Sequence, residues 1–515
     1  MTMYLALVLI VLNSPVVFSQ FRFANNYGSN MVLQRAPLSA NVWGFGEEGQ
    51  KVQLTVVEGS NTRFKYETIV YESLTGESVW KIKLDPLEPP INKSNQPYEI
   101  IARSKWKGEE IEIKLEDVLF GDVWLCSGQS NMAFTVGMSS TSEEELAAAD
   151  ERPDIRLFTV KRNYSEIAVN DLQYVNIWQN WTKASRESVG GPNFKYFSAV
   201  CWMFGRRLYD QYKIPIGLIA TSWGGTRIEA WSSPTALAKC KLKHHEEPKS
   251  PQNSYSVLWN AMIYPFLNMT IKGAIWYQGE ANSLYNSEIY ACTFPEMIND
   301  WRKKWFEGTD GSTDQMLPFG FVQLATIDPK IPEQRFPRIR YEQTANYGYV
   351  PNPKQQNVFM AVAMDLPDDN SPYGAVHPRD KNTVAYRLSL GARAMVYGEI
   401  NITFQGAIMD SCKIMSLEGK SYVRVSFRGA DEEGLLIKSH DGFEVQIKGT
   451  GQWTATNMIF SPSSDPVGIY LTIPSNQNVT AVRYVWSNRP CDYQRCAIYS
   501  LDYGLPSPPG LCFIP

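Results

Sequence analysis

Between residues 119 and 400 the chain carries five short, nearly unbroken apolar runs: "DVWLCS", "IPIGLIATS", "IKGAIWYQ", "PFGFVQL" and "VFMAVAMD". Each is long enough for one strand, and none alternates with polar residues as a strand with one wet face would. Between them lie longer stretches with apolar residues at helical spacing, notably Val200–Tyr212, Tyr285–Phe306 and Asp380–Tyr397. Strands dry on both faces, alternating with helices, specify an α/β fold with a doubly wound parallel sheet as the middle of three layers.

The flanks keep a different rhythm. From Gln20 onward "KVQLTVV", "SVWKIKL", "YEIIARS" and "EEIEIKL" alternate apolar and polar residues between Gly, Pro and Asn turns, the pattern of a small β-sandwich. After about Asn401 the alternation returns in "SYVRVSF", "FEVQIK", "GIYLTI" and "AVRYVW". A chain of 515 residues is long enough for two or three cores. The expected division is a β domain over 20–118, an α/β domain over 119–400 and a second β domain over 401–515.

Residues 1–19 read as a cleaved signal peptide. Their apolar core, Tyr4 to Leu12, is too short to cross a bilayer, and small residues follow where a signal peptidase cuts. No second apolar run of about 18 residues follows, so no membrane span is expected after cleavage. Sequons at Asn92, Asn163, Asn180, Asn268, Asn401 and Asn478 and an even count of eight cysteines fit an exported glycoprotein. Cys491 and Cys496 are close enough to form one bridge, whereas Cys126, inside an apolar run, reads as a buried thiol. The net charge of −4, with no long run of Lys or Arg, argues against nucleic acid as a partner.

Open parallel sheets bind ligands beyond the carboxyl ends of their strands. Four of the five runs end there on small polar or charged residues: "SGQSNM", "TSWGGT", "WYQGEAN" and "DLPDDNSPYGAVHPRDK". A serine nucleophile needs a turn that presents it and a base within hydrogen-bond reach. Gly128-Gln129-Ser130 offers the turn. Ser127 competes with Ser130 for the role but precedes the glycine, within the strand; helix capping is the structural alternative for Ser130. Of four histidines, His244 and His245 lie in the charged segment "KLKHHEEPK" and His440 in a turn of the last domain. His377, past a strand end and followed by Pro378, is the candidate base. Candidate oxyanion donors are the N–H groups of Ser130 and of Gly224 or Gly225, with the side-chain amide of Gln278. No HExxH or paired-cysteine spacing suggests a metal.

"GQSNM", the Gly-Gly turn, "WYQGE" and "HP", in this order, resemble the SGNH-hydrolase superfamily in its carbohydrate-acetylesterase branch. "DVWLCSGQSNM", "TSWGGTRIEAW", "WYQGEAN" and "AVHPRDK" are similar to the sialate O-acetylesterase family. The resemblance implies a secreted or lysosomal enzyme that removes O-acetyl groups from sialic acids or sialoglycans, mainly at the 9-position, without metal or cofactor. Ser130 would be the nucleophile, His377 the base, and Gly225 and Gln278 oxyanion donors. One position departs from the superfamily: Gly374 stands where an aspartate three residues before the histidine would orient the ring. Asp365 is the first replacement, with Asp368 and Asp369 behind it; alternatively a backbone carbonyl holds the ring. Arg227 and Arg379 are candidates to pair with a sialate carboxylate. An acetylesterase for other glycans and a glycan-binding pseudoenzyme are the competing functions.

Overall fold

The five apolar runs become five neighbouring strands of one sheet. The computed structural model describes residues 20–515 except 74, 90–96, 192, 243–249, 332–333, 418, 430–433, 461–464 and 474–477. The central strands are β1 Glu109–Gly128, β2 Ile155–Val160, β3 Ile177–Lys183, β4 Ile216–Ser222, β5 Gly273–Tyr277, β6 Phe319–Gln323 and β7 Val358–Val362. They lie in the order β3-β2-β4-β1-β5-β6-β7. All pair in parallel except β3, an antiparallel edge strand with irregular register. β2 and β3 are absent from the runs singled out by sequence. "IRLFTV" is buried throughout but interrupted by Arg156, which pairs with Asp117, and "IWQNWTK" is a half-exposed edge that mimics a loop.

Helices cover both faces. Register places Trp124 beside Gly273 and Cys126 beside Ile275, so these side chains share one face, whereas Trp276 and Ser127 share the other. Helix α1, Ala199–Tyr212, meets the first face through Phe204 against Trp124 and the disulfide Cys126–Cys201. Helix α3, Lys381–Met395, packs beside it over β6 and β7. Helix α2, Tyr290–Gly308, covers the second face with Trp301 against Trp276 and Phe294 against Phe321.

The expected boundary between residues 118 and 119 falls inside one strand. β1 is 20 residues long; its first half pairs antiparallel with Tyr98–Trp106 and its second half forms the centre of the parallel sheet. The change of rhythm at Leu119 therefore marks where the same strand passes from a sheet with one wet face to one dry on both. Burial along β1 alternates over Glu109–Glu116 and is complete from Val118. The C-terminal region is rich in antiparallel strands, beginning with Ile408–Leu417 paired to Lys420–Arg428. It is fastened to the α/β core by Arg340, which donates to the carbonyls of Ser487 and Asn488 at 2.7 and 3.0 Å.

All eight cysteines are paired: Cys126–Cys201, Cys240–Cys292, Cys412–Cys512 and Cys491–Cys496. The short-range bridge is as expected. Cys126, read as a thiol, instead ties β1 to α1, because a residue 75 positions away comes within reach only after the sheet is wound. Removing that link with paired Cys126→Ala and Cys201→Ala substitutions should destabilise the protein by about 4 kcal/mol on loop-closure grounds, read as a lower denaturant midpoint. Among the sequons Asn92 lies outside the described residues, as do residues 1–19, His244 and His245; Asn180, Asn401 and Asn478 are exposed, Asn163 and Asn268 half-buried.

Candidate active site

β1 leaves the sheet at Gly128, whose φ is +140°; a Cβ there would lie 2.2 Å from the carbonyl oxygen of Tyr277. Only glycine fits so close to the neighbouring strand. The next residue, Gln129, donates its N–H to that same carbonyl at 2.9 Å and accepts from the N–H groups of Met132 and Ala133. Its carbonyl thus starts the short helix Ser130–Ala133, and Ser130 occupies the first helical position, half-exposed. Ser127 lies back in the strand, wholly buried, with no hydrogen-bond partner for its hydroxyl among the described residues.

The imidazole of His377 meets Ser130. Nε2 lies 2.8 Å from Ser130 Oγ, and Nδ1 lies 2.8 Å from the carbonyl oxygen of Tyr373. A carbonyl can only accept, so Nδ1 carries the proton and Nε2 is free to take one from the serine. The loop that sets this ring is a tight turn: the N–H of His377 donates to the carbonyl of Gly374, where φ is +87°, and Ser371 Oγ donates to the carbonyl of His377. Gly374 is therefore needed for the turn. The ring of Phe194 stands edge-on, 5.4 Å away.

No carboxylate supports the ring among the described residues. Asp365 is fully buried and bound to Arg387 at 2.6 and 2.9 Å and to the hydroxyl of Tyr499 at 3.1 Å. Asp368 is held by Arg379 at 2.7 and 2.8 Å, and Asp369 by Arg489 at 2.9 Å. The proposed role of Asp365 is thus replaced by a structural one, and the backbone carbonyl takes the orienting position. The same pairing removes Arg379 as a free cation, while Arg227 lies flat on Tyr285 at 3.5 Å.

Burial lowers the pKa of His377 below its usual 6.5; Lys381 lowers it further, while the Tyr373 carbonyl opposes the shift. A base must be neutral to act, so a lowered pKa keeps it competent in mildly acidic medium. The acid limb of kcat/KM should have its midpoint below 6.5. Lys381→Met, which removes a neighbouring cation, should move that midpoint upward in a pH–rate profile.

The main-chain N–H groups of Ser130, Gly224 and Gly225 have no carbonyl partner among the described residues. Gly224 follows β4 closely, and a Cβ there would come within 3.2 Å of Ser130 Cβ. Gln278 corrects the sequence expectation. It is fully buried, donates to the carbonyl of Thr226 at 3.1 Å and to Asn282 at 2.7 Å, and accepts from Tyr290 at 2.9 Å. With both amide hydrogens used, it braces the Gly-Gly loop from below.

Beneath the site lies a buried polar network absent from the sequence reading. Asn131 donates to Glu280 at 2.5 Å and to the carbonyl of Val376 at 2.9 Å, and accepts from Lys381 Nζ at 2.7 Å. It joins the nucleophile turn, the loop after β5 and the residue preceding the base. Burial brings Lys381 down to about 7 against the opposing pull of Glu280, and burial raises Glu280. The signal was present as ionisable residues inside the strings "QGEAN" and "HPRDK", but adjacency to the site required coordinates.

Residues 120–385 match the family model described as carbohydrate esterase, sialic acid-specific acetylesterase. Residues 413–514 match the sialate O-acetylesterase C-terminal domain. The chain belongs to the sialic acid-specific acetylesterase family of carbohydrate esterases. As a member of this family it is a carboxylic ester hydrolase. It is 42% identical to the sialate O-acetylesterase of Homo sapiens over 506 residues, 96% of this chain and 93% of that one. Identity to the sialate O-acetylesterase of Mus musculus is 40%, over 96% and 94% of the two chains. The crystal structure of a carbohydrate acetylesterase from Xanthomonas citri superposes with a TM-score of 0.75 at 24% identity, covering 95% of this chain and 99% of that one. The fold shared with that structure therefore includes the β-rich regions at both ends. Four disulfides, and no helix among the described residues long and apolar enough to cross a membrane, fit a secretory-pathway member of the family.

Proposed function

We propose that the chain removes O-acetyl groups from sialic acids, mainly at the 9-position, and releases acetate by two-step acyl transfer at Ser130. The observation that carries this reading is the 2.8 Å contact between Ser130 Oγ and His377 Nε2, with the tautomer set by Tyr373. Ser130 Oγ attacks the acetyl carbonyl carbon while His377 takes its proton. The oxyanion forms against the N–H groups of Ser130 and the Gly224-Gly225 turn, each worth about 100- to 1000-fold in turnover. The imidazolium then gives its proton to the sugar oxygen as the ester bond breaks, leaving acetyl-Ser130. Water, deprotonated by His377, attacks the acyl group; acetate leaves and Ser130 recovers its proton. The Tyr373 carbonyl, rather than a carboxylate, steadies the imidazolium, so the machinery is a dyad. Carried in a secreted or lysosomal glycoprotein, the site takes its specificity from the sugar, since acetyl offers little surface.

Acetate release from 9-O-acetyl and 4-O-acetyl sialic acid and from acetylated xylan, measured beside fluorophosphonate labelling of Ser130, tests the reading. Labelling with fastest turnover of the 9-O-acetyl sugar supports it. Faster turnover of xylan makes the chain an esterase of other glycans, and a protein that neither labels nor releases acetate is a lectin-like pseudoenzyme.

A further inference from the structure

Two strands from the nucleophile, the same edge of the sheet carries a second set of groups that acyl transfer does not use. β2 runs parallel to β4 and β1, so Thr159 and Val160 end on the side where Gly128 ends. Gln179 stands opposite Thr159 and Ile177 opposite Val160, which brings Trp178 to that edge. At ~4.8 Å per strand this is roughly 10 Å from β1. A cavity of about 860 Å³ runs along β3 from this edge toward the amino end of β2, lined among others by Thr159, Trp178, Lys183, Glu187, Lys195 and Tyr196. Trp178 and Tyr196 are 40% and 45% exposed, and so leave large aromatic surface open to solvent. Tyr196, in the lining of this cavity, is two residues from Phe194, whose ring touches His377. Phe194 holds a left-handed backbone, φ +58°, in a segment that bridges to the nucleophile loop through Ser198 and Thr135.

Arg162, just past β2, contacts both Trp178 and the Phe194 segment. Its guanidinium lies 5.6 Å from the Trp178 ring and donates to the Phe194 carbonyl at 2.7 Å. Its Nε is buried without an acceptor, and no carboxylate among the described residues pairs with it. Burial alone lowers its pKa, with no acidic neighbour offsetting the shift. Arg379 is spoken for by Asp368, and Arg227 acts on the buried Glu229. A half-dry guanidinium with no anion is costly until one arrives, and a sialic acid brings one carboxylate across its ring from the C9 ester.

We propose that Arg162 receives the sialic acid carboxylate and that Trp178 and Tyr196, in the adjoining cavity, take the sugar to which the acid is linked. The inference rests on the sialate deacetylation proposed above. A planar guanidinium pairs with a carboxylate in a two-point contact, and the aromatic faces offer flat surfaces to the C–H faces of a pyranose.

The test compares 9-O-acetyl-N-acetylneuraminic acid with its C1 methyl ester. The wild-type kcat/KM is expected to favour the acid by about 10- to 100-fold. In Arg162→Met that ratio should fall to near one, carried by KM, with Arg162→Lys between the two. A purely structural role for Arg162 would slow both substrates together and preserve the ratio. A wild-type ratio near one, a ratio surviving in Arg162→Met, or its collapse in Arg227→Met instead, would overturn the assignment. Trp178→Ala should lower kcat/KM for 9-O-acetyl sialyllactose about 2- to 10-fold more than for the free acid; equal losses remove the sugar from the cavity. If Arg162→Met does not fold, the wild-type ratio and Arg162→Lys still decide. Wild-type protein that cleaves 4-nitrophenyl acetate yet releases acetate from neither sialic acid nor its ester refutes the substrate reading itself, and the subsite with it.

Discussion

Ser130→Ala should lower kcat for acetate release by about 10⁴-fold or more, with the fold intact. The hydroxyl is the only part of the side chain lost, it sits half-exposed at the start of a short helix, and its one side-chain hydrogen bond among the described residues is to His377. Loss of that contact changes stability by roughly 1 kcal/mol or less, so the denaturation midpoint should hardly move. Ser127→Ala provides the contrast. Its hydroxyl is buried without a partner, so methyl replaces a dehydrated polar group and activity should stay within a few-fold, with stability unchanged or slightly raised. Fluorophosphonate should label Ser127→Ala and fail to label Ser130→Ala. The reverse pattern would move the nucleophile into the strand and dismantle the proposed mechanism.

Asp365→Ala should lose about 3–5 kcal/mol of folding stability, because Arg387 would keep its charge in a dry interior with its carboxylate gone. The Arg387 side chain is 4% exposed and that of Asp365 0%, and Tyr499 of the C-terminal region also donates to Asp365. The loss should therefore loosen the attachment of that region, seen as a lower urea midpoint and earlier proteolysis after residue 400. An aspartate that oriented the catalytic histidine would behave oppositely: its removal costs about 10⁴-fold in kcat while geometry survives. Asp365→Asn, which keeps the shape and softens the charge loss, separates the two. The structure predicts folded protein with kcat within about 10-fold of wild type and an unmoved acid limb; a loss of 10⁴-fold in kcat from a stable protein would restore Asp365 to the catalytic machinery.

The fold was legible where burial leaves a simple trace in composition. Runs without alternation become the five central parallel strands, and the helical stretches become α1, α2 and α3 with ends shifted by a few residues. Tyr285–Phe306 begins later than expected, at Tyr290, because short 3-10 turns occupy the residues after β5. β2 and β3 escaped because Arg156 interrupts the apolar run of one and the other is an edge strand open to water on one face. The expected N-terminal boundary falls within a strand for a related reason: hydrophobic rhythm reports how many faces of a strand are dry, and β1 changes that number halfway along its length.

The site divides along the same line. Ser130 and His377 could be nominated because small polar groups at the ends of dry strands have few structural uses, and because few histidines compete. Asp365 and Gln278 occupied equally suggestive positions, yet their side chains were consumed by Arg387 and Tyr499 in one case and by Thr226 and Asn282 in the other. Position along a chain limits which loop a residue joins; it does not say which way the side chain points or what else reaches it first. The sequence by itself determined the parallel sheet and the loops that gather at its carboxyl edge, because hydrophobic period follows from how many faces each segment buries. Only the tertiary structure decided that a main-chain oxygen supports the histidine, that Cys126 bridges to Cys201, and that no carboxylate among the described residues pairs with Arg162. The disulfide joins residues 75 positions apart and the histidine contact depends on how one loop folds back, and chain connectivity carries no record of either until the sheet is wound.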